Sequence, residues 1–370
     1  MAPKRKAKPA QEPIKYASVT AQQALLTLLQ RTFSAAFSDP ATLSAAIQAV
    51  KAHLYARDYL AAFDSPDYLL AYVVRWSSSR ALAYLHVFGD LCPQIPLLLS
   101  SAAKPKKRVL CVGGGAGGEV LALAALANDL GARGVDILAV DIADWEDVFT
   151  RLRDGIARQL GWLAEEDSKP PVDLNFLQFD ILDVPCQILD GDQSQKISLE
   201  SLSSSSSSPI TATATAPDAL PPSSSSAPPA PPAPPPTDKL DVSKFDLITV
   251  LFTANELFVE SKPRTISFLR HLCDRCKPGT ILLILESAGS YSHISIGSKT
   301  FPVQFLLDHT LVDPSPSPSS SSSSSSSAPS DRWEKLIEDD SVWFRLDEKQ
   351  LRYPLQLENM RFFIRLYKKL

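Results

Sequence analysis

The sequence places a glycine-rich loop directly after a short apolar run. The run covers residues 109–112, and the loop that follows reads Gly-Gly-Gly-Ala-Gly-Gly. At Gly113, Gly115 and Gly117 there is no Cβ to keep a ligand away from the backbone. Glu119 then opens an alanine-rich segment, and the helix predicted there directs its N-terminus at the same ligand. The pattern predicts a buried strand, a turn that holds a cofactor, and a helix.

Polar side chains follow the next three predicted strands. Asp141 ends the second strand, Asp180 ends the third, and Asn255 and Glu256 follow the fourth. In an open parallel sheet, ligands bind in the crevice at the carboxyl ends of the strands. A carboxylate at the end of the second strand is suited to accept hydrogen bonds from ribose hydroxyls. We therefore expect these side chains to meet the glycine loop around a cofactor that contains a nucleoside.

Two classes of enzyme fit this pattern, the NAD-dependent oxidoreductases and the S-adenosylmethionine (SAM) methyltransferases. SAM is favoured because long helical segments precede the glycine strand and because three strands in a row end in polar residues. A predicted antiparallel hairpin, residues 353–357 paired with 360–369, closes the chain. The predicted fold is α/β of class I SAM-dependent methyltransferase type. It has a Rossmann-like seven-stranded sheet with a C-terminal antiparallel hairpin, preceded by a helical extension.

Composition divides the chain into segments. Residues 1–17 form a basic tail that we predict to be disordered, residues 18–103 a helical N-terminal extension, and residues 104–370 the methyltransferase domain. Serine- and proline-rich tracts interrupt this domain at 191–237 and 313–330. Such tracts bury too little apolar surface to offset the entropy of ordering them. We therefore predict that both are disordered insertions in surface loops, where long insertions are tolerated.

Bulk composition excludes several classes of protein. A net charge of −4 with 45% hydrophobic residues excludes a uniformly cationic nucleic-acid binder. The five cysteines are scattered and odd in number, which is typical of reduced thiols in an intracellular protein. Cys273 and Cys276 have no partner pair at zinc-site spacing, so we expect no metal. No apolar run approaches the roughly 20 residues that span a bilayer, so we expect no membrane segment. We expect a monomer.

Several blocks of the sequence resemble the fungal 25S rRNA (uridine-N3)-methyltransferases. The similarity extends over nearly the whole chain outside the Ser/Pro tracts. Ser78 and Ala288 stand where that family usually has proline, and neither exchange removes a functional group. The blocks that carry the resemblance are residues 72–84 (YVVRWSSSRALAY), 111–126 (CVGGGAGGEVLALAAL), 245–258 (FDLITVLFTANELF), 286–293, 340–345 and 353–369 (YPLQLENMRFFIRLYKK).

The resemblance implies methyl transfer from SAM to N3 of a uridine in large-subunit rRNA. The implied partner is that rRNA or a pre-ribosomal particle, and the implied location is the nucleus or nucleolus, with the cytoplasm as a further site. Two alternatives stay open. One is a methyltransferase that acts on another RNA base or on a protein side chain. The other is a ribosome-assembly factor that binds SAM without catalysing a reaction.

Roles follow for the residues around the predicted cofactor. Gly113, Gly115 and Gly117 would hold the methionine part of SAM, Asp141 its ribose, and Asp180 the exocyclic amine of its adenine. Glu119 is a further predicted cofactor-binding residue. Asn255 and Glu256 would lie where the methyl group is transferred. Uridine N3 carries a proton that must be removed, so Glu256 is the predicted general base. The alternative for Glu256 is a structural cap on the following helix.

Two arginines and three aromatic residues are candidates to bind the RNA substrate. Arg75 and Arg80, with Trp76 between them, are of the types that hold phosphates and unstacked bases. The alternative for this pair is salt bridges to a neighbouring helix. Tyr291 and Trp343, with Phe344, are candidates to stack on an extruded base.

Overall fold

The computed structural model describes residues 18–95, 105–162, 170–184, 240–289, 292–296, 299–312, 332–347 and 349–370. These residues belong to one unit of the chain. The basic tail, the Ser/Pro tracts and Tyr291 lie outside the described residues. The predictions made for the tail and the two tracts therefore stay predictions.

A seven-stranded sheet forms the centre of the described structure. In the chain the strands are β1 (Lys107–Val112), β2 (Val135–Asp141), β3 (Val172–Gln178), β4 (Leu247–Leu251), β5 (Ile281–Ser287), the separate pair β6 (His293–Ile296) and β7 (Lys299–Pro302), β8 (Trp333–Phe344) and β9 (Met360–Lys369). The order across the sheet is β3-β2-β1-β4-β5-β9-β8. The first five strands in that order are parallel, and β9 runs antiparallel to both β5 and β8. This arrangement confirms the predicted α/β sheet with an antiparallel C-terminal pair.

The C-terminal pair differs from the prediction in one strand. Residues 353–357 do not form a strand, and β9 pairs instead with β8, twelve residues that follow the second Ser/Pro tract. The segment around Tyr353 packs against the N-terminal helices, and its hydroxyl donates a hydrogen bond of 2.8 Å to the carbonyl of Val74. Pro354 has no N–H to donate to a strand ladder. Tertiary contacts to the helices therefore decided the conformation of this segment.

Five α-helices precede the sheet among the residues that the structure describes. Asp39 and Ser65 cap two of them through hydrogen bonds to backbone N–H groups, and each of these two helices has proline in its first turn. Residues 66–91, within the predicted helical extension, form two α-helices joined by a π-helical turn, Val73–Ser77. The five helices are α1 (Val19–Thr32), α2 (Pro40–Ala56), α3 (Tyr59–Ala62), α4 (Pro66–Tyr72) and α5 (Ser78–Leu91).

Two hydrophobic layers cover the two faces of the sheet. Alternate residues of β1 point to opposite layers, because side chains alternate along a strand: Val109 and Cys111 lie in one, Leu110 and Val112 in the other. The first layer contains the N-terminal helices with α6 (Gly118–Asp129) and α7 (Glu146–Gln159). The second contains α8 (Ala254–Glu260), α9 (Lys262–Arg275) and α10 (Val303–Leu311). Within the described ranges, no helix is long and apolar enough to cross a membrane.

Candidate active site

A cavity of about 610 Å³ lies at the carboxyl ends of β1, β2 and β4. The glycine loop and the strand ends form one side of it, and residues 57–84 of the N-terminal helices form the other. Its volume is in the range of pockets for small molecules and cofactors. The helices that precede the sheet in sequence are therefore part of the site.

Side chains packed around the glycine loop explain two of its glycines. A Cβ on Gly113 would lie 2.2 Å from Oγ1 of Thr253, and φ at this glycine is +71°. A Cβ on Gly115 would lie 2.0 Å from Cδ1 of Trp145, which is buried. Gly115 itself does not line the cavity, whereas Gly113 and Gly117 do. Gly117 precedes the first residue of α6, so that helix begins at the cavity.

Asp141 ends β2 and lines the cavity beside the glycine loop. Its Oδ2 accepts a hydrogen bond of 3.1 Å from the N–H of Gly115, and its Oδ1 accepts one of 3.2 Å from the N–H of Ala143. Burial raises the pKa of Asp141 to about 6. The carboxylate is therefore mostly ionised at neutral pH, is fixed by the backbone, and remains an acceptor for hydroxyl groups in the cavity.

Asp180 also lines the cavity, and its carboxylate has partners within the protein. Oδ1 accepts a hydrogen bond of 2.9 Å from the N–H of Leu182, and Oδ2 lies 2.9 Å from the Arg264 guanidinium. The same guanidinium lies 2.6 Å from Asp183. Arg264 thus fixes two carboxylates beside the cavity, a role for which no motif in the sequence provided a signal. The remaining lone pairs of Asp180 can accept a further hydrogen bond from an amine.

Glu119 lies in the first turn of α6, is 4% exposed, and lines the cavity. Burial raises its pKa to about 8, although interactions with the Thr249 and Cys111 side chains oppose the shift. Its Oε1 has no hydrogen-bond partner among the residues that the structure describes. A buried acceptor of this kind is costly unless it receives a donor. A cationic donor in the cavity would both satisfy this oxygen and favour the ionised form.

Glu256, in the first turn of α8, is half-buried and lines the cavity. Burial raises its pKa to about 8, Asp141 and Glu286 add to the shift, and Arg80 opposes it. The structure gives the following helix, α9, a different cap, because Ser261 accepts a hydrogen bond of 3.4 Å from the N–H of Arg264 there. The geometry thus places at the cavity a carboxyl group whose pKa lies near neutral pH, as a general base requires.

Asn255 points away from the cavity. Its backbone N–H donates a hydrogen bond of 3.0 Å to the buried carboxyl group of Glu286. Its side-chain Nδ2 donates one of 3.1 Å to Ser292, whose hydroxyl in turn bonds to the carbonyl of Ser287. These contacts give Asn255 a positioning role, because they fix the start of α8 to the end of β5.

The two arginines predicted to bind substrate lie in different environments. Arg75 forms an ion pair with Glu358, donates a hydrogen bond of 3.1 Å to the carbonyl of Gln356, and does not line the cavity. Arg80 does line it, with its guanidinium 4.9 Å from the ring centroid of Phe252 and 5.5 Å from that of Tyr72. In the described part of the chain, no carboxylate forms an ion pair with Arg80. Its cation is thus available to a ligand.

Aromatic side chains that were not predicted complete the cavity wall. Phe63, Tyr72 and Trp145 form a cluster in which the ring centroids lie 5.0, 5.6 and 5.9 Å apart. The spacing of Tyr59 and Phe63, four residues apart, was the signal in the sequence, because such residues share a helix face. Both line the cavity. They provide the apolar wall that a base or an adenine ring requires.

The remaining predicted site residues lie elsewhere. Trp343, on β8, is 55% exposed and does not line the cavity. Phe344 is buried beside His86, with 5.7 Å between the ring centroids. Across the described residues, no group of three or more His, Cys, Asp or Glu side chains is placed to hold a metal ion.

A comparison with a curated protein covers nearly the whole chain. The chain is 34% identical over 387 residues to the 25S rRNA (uridine(2843)-N(3))-methyltransferase of Saccharomyces cerevisiae, an alignment that spans 98% of this chain and 89% of the yeast protein. Solved structures are more distant. A SAM-dependent methyltransferase from Methanosarcina mazei is 11% identical with a TM-score of 0.35, covering 72% of this chain and 94% of its own. Human N-acetylserotonin methyltransferase in complex with SAM is also 11% identical, with a TM-score of 0.32, and the match covers 87% of this chain and 66% of the human chain.

Family membership rests on sequence rather than on these two structures. A family model described as "Putative SAM-dependent methyltransferase" matches residues 29–368. The match begins within α1 and ends within β9, so it includes α2 to α5 together with nearly the whole sheet. The cavity, the glycine loop and the sheet order agree with that assignment. The chain belongs to this family of SAM-dependent methyltransferases.

Proposed function

We propose that this protein transfers the methyl group of SAM to N3 of a uridine in large-subunit rRNA. The similarity to the yeast enzyme over almost the full length of both chains is the observation that carries this proposal. A second observation supports the chemistry. Glu256, a carboxyl group with a raised pKa, lines the same cavity as Arg80, a cation that no carboxylate in the described residues pairs with.

The cavity residues fit SAM by their own chemistry. The loop from Gly113 to Gly117 presents backbone to the methionine part, with Thr253 and Leu152 packed closely around it. The unsatisfied Oε1 of Glu119 accepts a hydrogen bond from the α-ammonium group. Asp141 accepts from the ribose hydroxyls, a task that suits a carboxylate with two oxygens. Asp180, held by Arg264, accepts from the adenine amine.

The chemistry of the acceptor assigns roles to Glu256 and Arg80. SAM, when bound, supplies an electrophilic methyl group on a sulfonium. Glu256 would take the proton from N3 as the N3–H bond breaks, and the freed electron pair of N3 would form the new bond to the methyl carbon. The carbon–sulfur bond would break at the same time, and its electron pair would stay on the sulfur of the neutral leaving group. The negative charge that develops on the uracil ring spreads to its carbonyl oxygens, where the Arg80 guanidinium stabilises it. The enclosed wall around both groups strengthens this interaction by excluding water.

Partner and location follow from the proposed substrate. The proposed partner is large-subunit rRNA, alone or in a pre-ribosomal particle, and the proposed location is the nucleus or nucleolus, with the cytoplasm as a further site. A basic segment at residues 1–17 is compatible with nuclear import or with contact to RNA. We propose that the protein acts as a monomer, without a metal.

Nucleoside analysis of rRNA tests the proposal. Large-subunit rRNA from cells that lack the protein should lose 3-methyluridine at one position, and the wild-type gene should restore it. A gene that encodes the Asp141→Ala variant should not restore it, because that variant is expected not to bind SAM. Retention of every 3-methyluridine in the absence of the protein would exclude this substrate. Loss of a different methylated base would instead support another RNA target.

SAM, and not NAD, should raise the melting temperature of the purified protein.

A further inference from the structure

Trp343 is a large aromatic side chain that the core does not use. It lies on β8, the last strand at one edge of the sheet, and is 55% exposed. A shift in the pairing of β8 with β9 occurs between Asp339 and Val342, directly before this residue. Such irregularities change the direction of the side chains that follow. The edge strand therefore presents a tryptophan to the surface while its neighbour Phe344 is buried.

Two arginines lie over the indole ring of Trp343. The guanidinium carbon of Arg345 lies 5.4 Å from the ring centroid, and that of Arg361, on the facing strand β9, lies 5.7 Å from it. Both arginines are exposed. We call Trp343, Arg345 and Arg361 the stacking platform. Contacts of this kind between a guanidinium and an indole ring are favourable and hold the arginines in place.

The arginines of the platform carry uncompensated charge. In the described part of the structure neither forms an ion pair, although Arg361 donates a hydrogen bond of 2.9 Å to the hydroxyl of Ser341. Arg365, on the same strand, provides the contrast, because it contacts the carboxylates of Asp308, Glu338 and Asp340. The nitrogen atoms of Arg345 and the other nitrogen atoms of Arg361 thus remain available to an anion. A planar ring beside free guanidinium groups fits an unpaired base and its phosphates.

The stacking platform lies at the same end of the sheet as the cavity. Phe362, next to Arg361, pairs with Ser287 at the carboxyl end of β5. Its ring centroid lies 6.2 Å from that of Phe252, which lines the cavity beneath Arg80. Between β4 and β8 the sheet has three strand spacings, or roughly 14 Å. A few nucleotides of an extended strand cover that distance.

We propose that the stacking platform binds an unpaired base of the RNA strand that flanks the target nucleotide. This inference rests on the proposed function, since it gives the RNA a path from the cavity to the sheet edge. The indole stacks on the base, and the guanidinium groups of Arg345 and Arg361 contact the adjacent phosphates. Such stacking is tolerant of sequence, because every base has a π-face. The platform therefore positions the strand, while the cavity selects the base.

Binding of a 5′-fluorescein-labelled 12-nucleotide oligouridylate, followed by fluorescence anisotropy, tests the inference. Trp343→Ala should weaken binding about 5- to 150-fold, the range expected when one base–aromatic stack is removed. Trp343→Phe should restore most of the affinity, because an aromatic ring remains. Tyr55→Ala is the matched control, since Tyr55 is 78% exposed on α2 outside the platform, and it should bind like the wild type.

The salt dependence of binding tests the two arginines separately. The double variant Arg345→Gln/Arg361→Gln should lower the slope of log affinity against log salt by about 1.4, at about 0.7 for each phosphate that is no longer neutralised. S-adenosylhomocysteine should bind to each variant with wild-type affinity in calorimetry. If wild type, Trp343→Ala and the double variant bind the RNA with equal affinity and equal salt slope, the inference is wrong. It is wrong as well if the variants bind the RNA equally but lose binding to a protein, because the platform would then contact a protein. If the wild-type protein binds the oligonucleotide, but cells that lack the protein keep every methylated rRNA base, the proposed function alone is wrong.

Discussion

The raised pKa of Glu256 makes the proposed proton transfer testable. We expect Glu256→Gln to keep the affinity for SAM and to lower the rate of methyl transfer by roughly 10²- to 10⁴-fold, the usual contribution of acid–base assistance. Glutamine keeps the size of the side chain but cannot accept a proton from N3. The control is Glu146→Gln, because Glu146 is exposed on α7 and does not line the cavity.

The pH dependence follows from the sign of the shift. Burial raises the pKa of Glu256 to about 8, so its base form increases as pH rises. From a pKa of about 8, the ionised fraction rises from roughly a tenth at pH 7 to roughly nine tenths at pH 9, an increase of about tenfold. The positive sulfonium of bound SAM would lower this pKa, since an opposite charge favours the ionised form. The rise should therefore end by about pH 9.

Single-turnover transfer of a radiolabelled methyl group measures this dependence. Rates for the wild type and for Glu256→Gln are measured with saturating SAM and an rRNA transcript as substrate, at pH values from 6 to 9.5. Without a base at position 256, the reaction needs uracil that has already lost its N3 proton to solvent, so the rate of the variant should keep rising with pH after the wild-type rate has levelled. The ratio of the wild-type rate to the variant rate should therefore fall once pH exceeds the pKa of Glu256. A ratio that does not fall there, or a variant with the wild-type rate, would refute the assignment of Glu256 as base.

Three further predictions concern the cofactor site and the insertions. Gly115→Ala should destabilise the protein by about 1–3 kcal/mol in thermal denaturation, because its Cβ would overlap the buried ring of Trp145; an unchanged melting temperature would contradict this packing. Asp141→Ala should abolish SAM binding in calorimetry while the circular dichroism spectrum persists, and unchanged affinity would refute its role. Replacing residues 191–237 and 313–330 with short Gly/Ser linkers should preserve melting temperature and activity, and loss of folding would show that these boundaries are wrong.

The parallel strands of the sheet were predictable because their signals are local. The apolar run before Gly113 and the acidic residue at Asp141 identify two neighbouring strands and the end at which they bind a ligand. The partner of β9 was not predictable in the same way. Residues 353–357 and β8 both show partly alternating polarity, and the difference between them lies in contacts with helices more than 200 residues earlier in the chain, such as that of Tyr353 with Val74.

Half of the candidate site was predictable for the same reason. Residues at strand ends, such as Asp180 and Glu256, follow from the rule that parallel strands bind ligands at their carboxyl ends. The spacing of Tyr59 and Phe63 indicates a shared helix face, but no local rule shows that this face and Tyr72 form the wall of a cavity. An amphipathic helix indicates that one face is buried, but not what it is buried against. The contact between the N-terminal helices and the glycine loop is visible only in the folded structure, for example in the 2.9 Å hydrogen bond from Ser77 to the carbonyl of Ala116.

Arg75 and Arg80 show how the backbone between two similar residues separates their roles. In a regular α-helix, five residues correspond to a rotation of about 500°, which leaves the two side chains about 140° apart. The π-helical turn Val73–Ser77 overlaps this interval and changes the rotation further. Arg75 is directed to Glu358 in the C-terminal segment, and Arg80 to the cavity. Because π-helical turns are frequent at functional sites, we interpret this one as the feature that lets a single helical segment bind the C-terminal segment and also supply the cation beside Glu256.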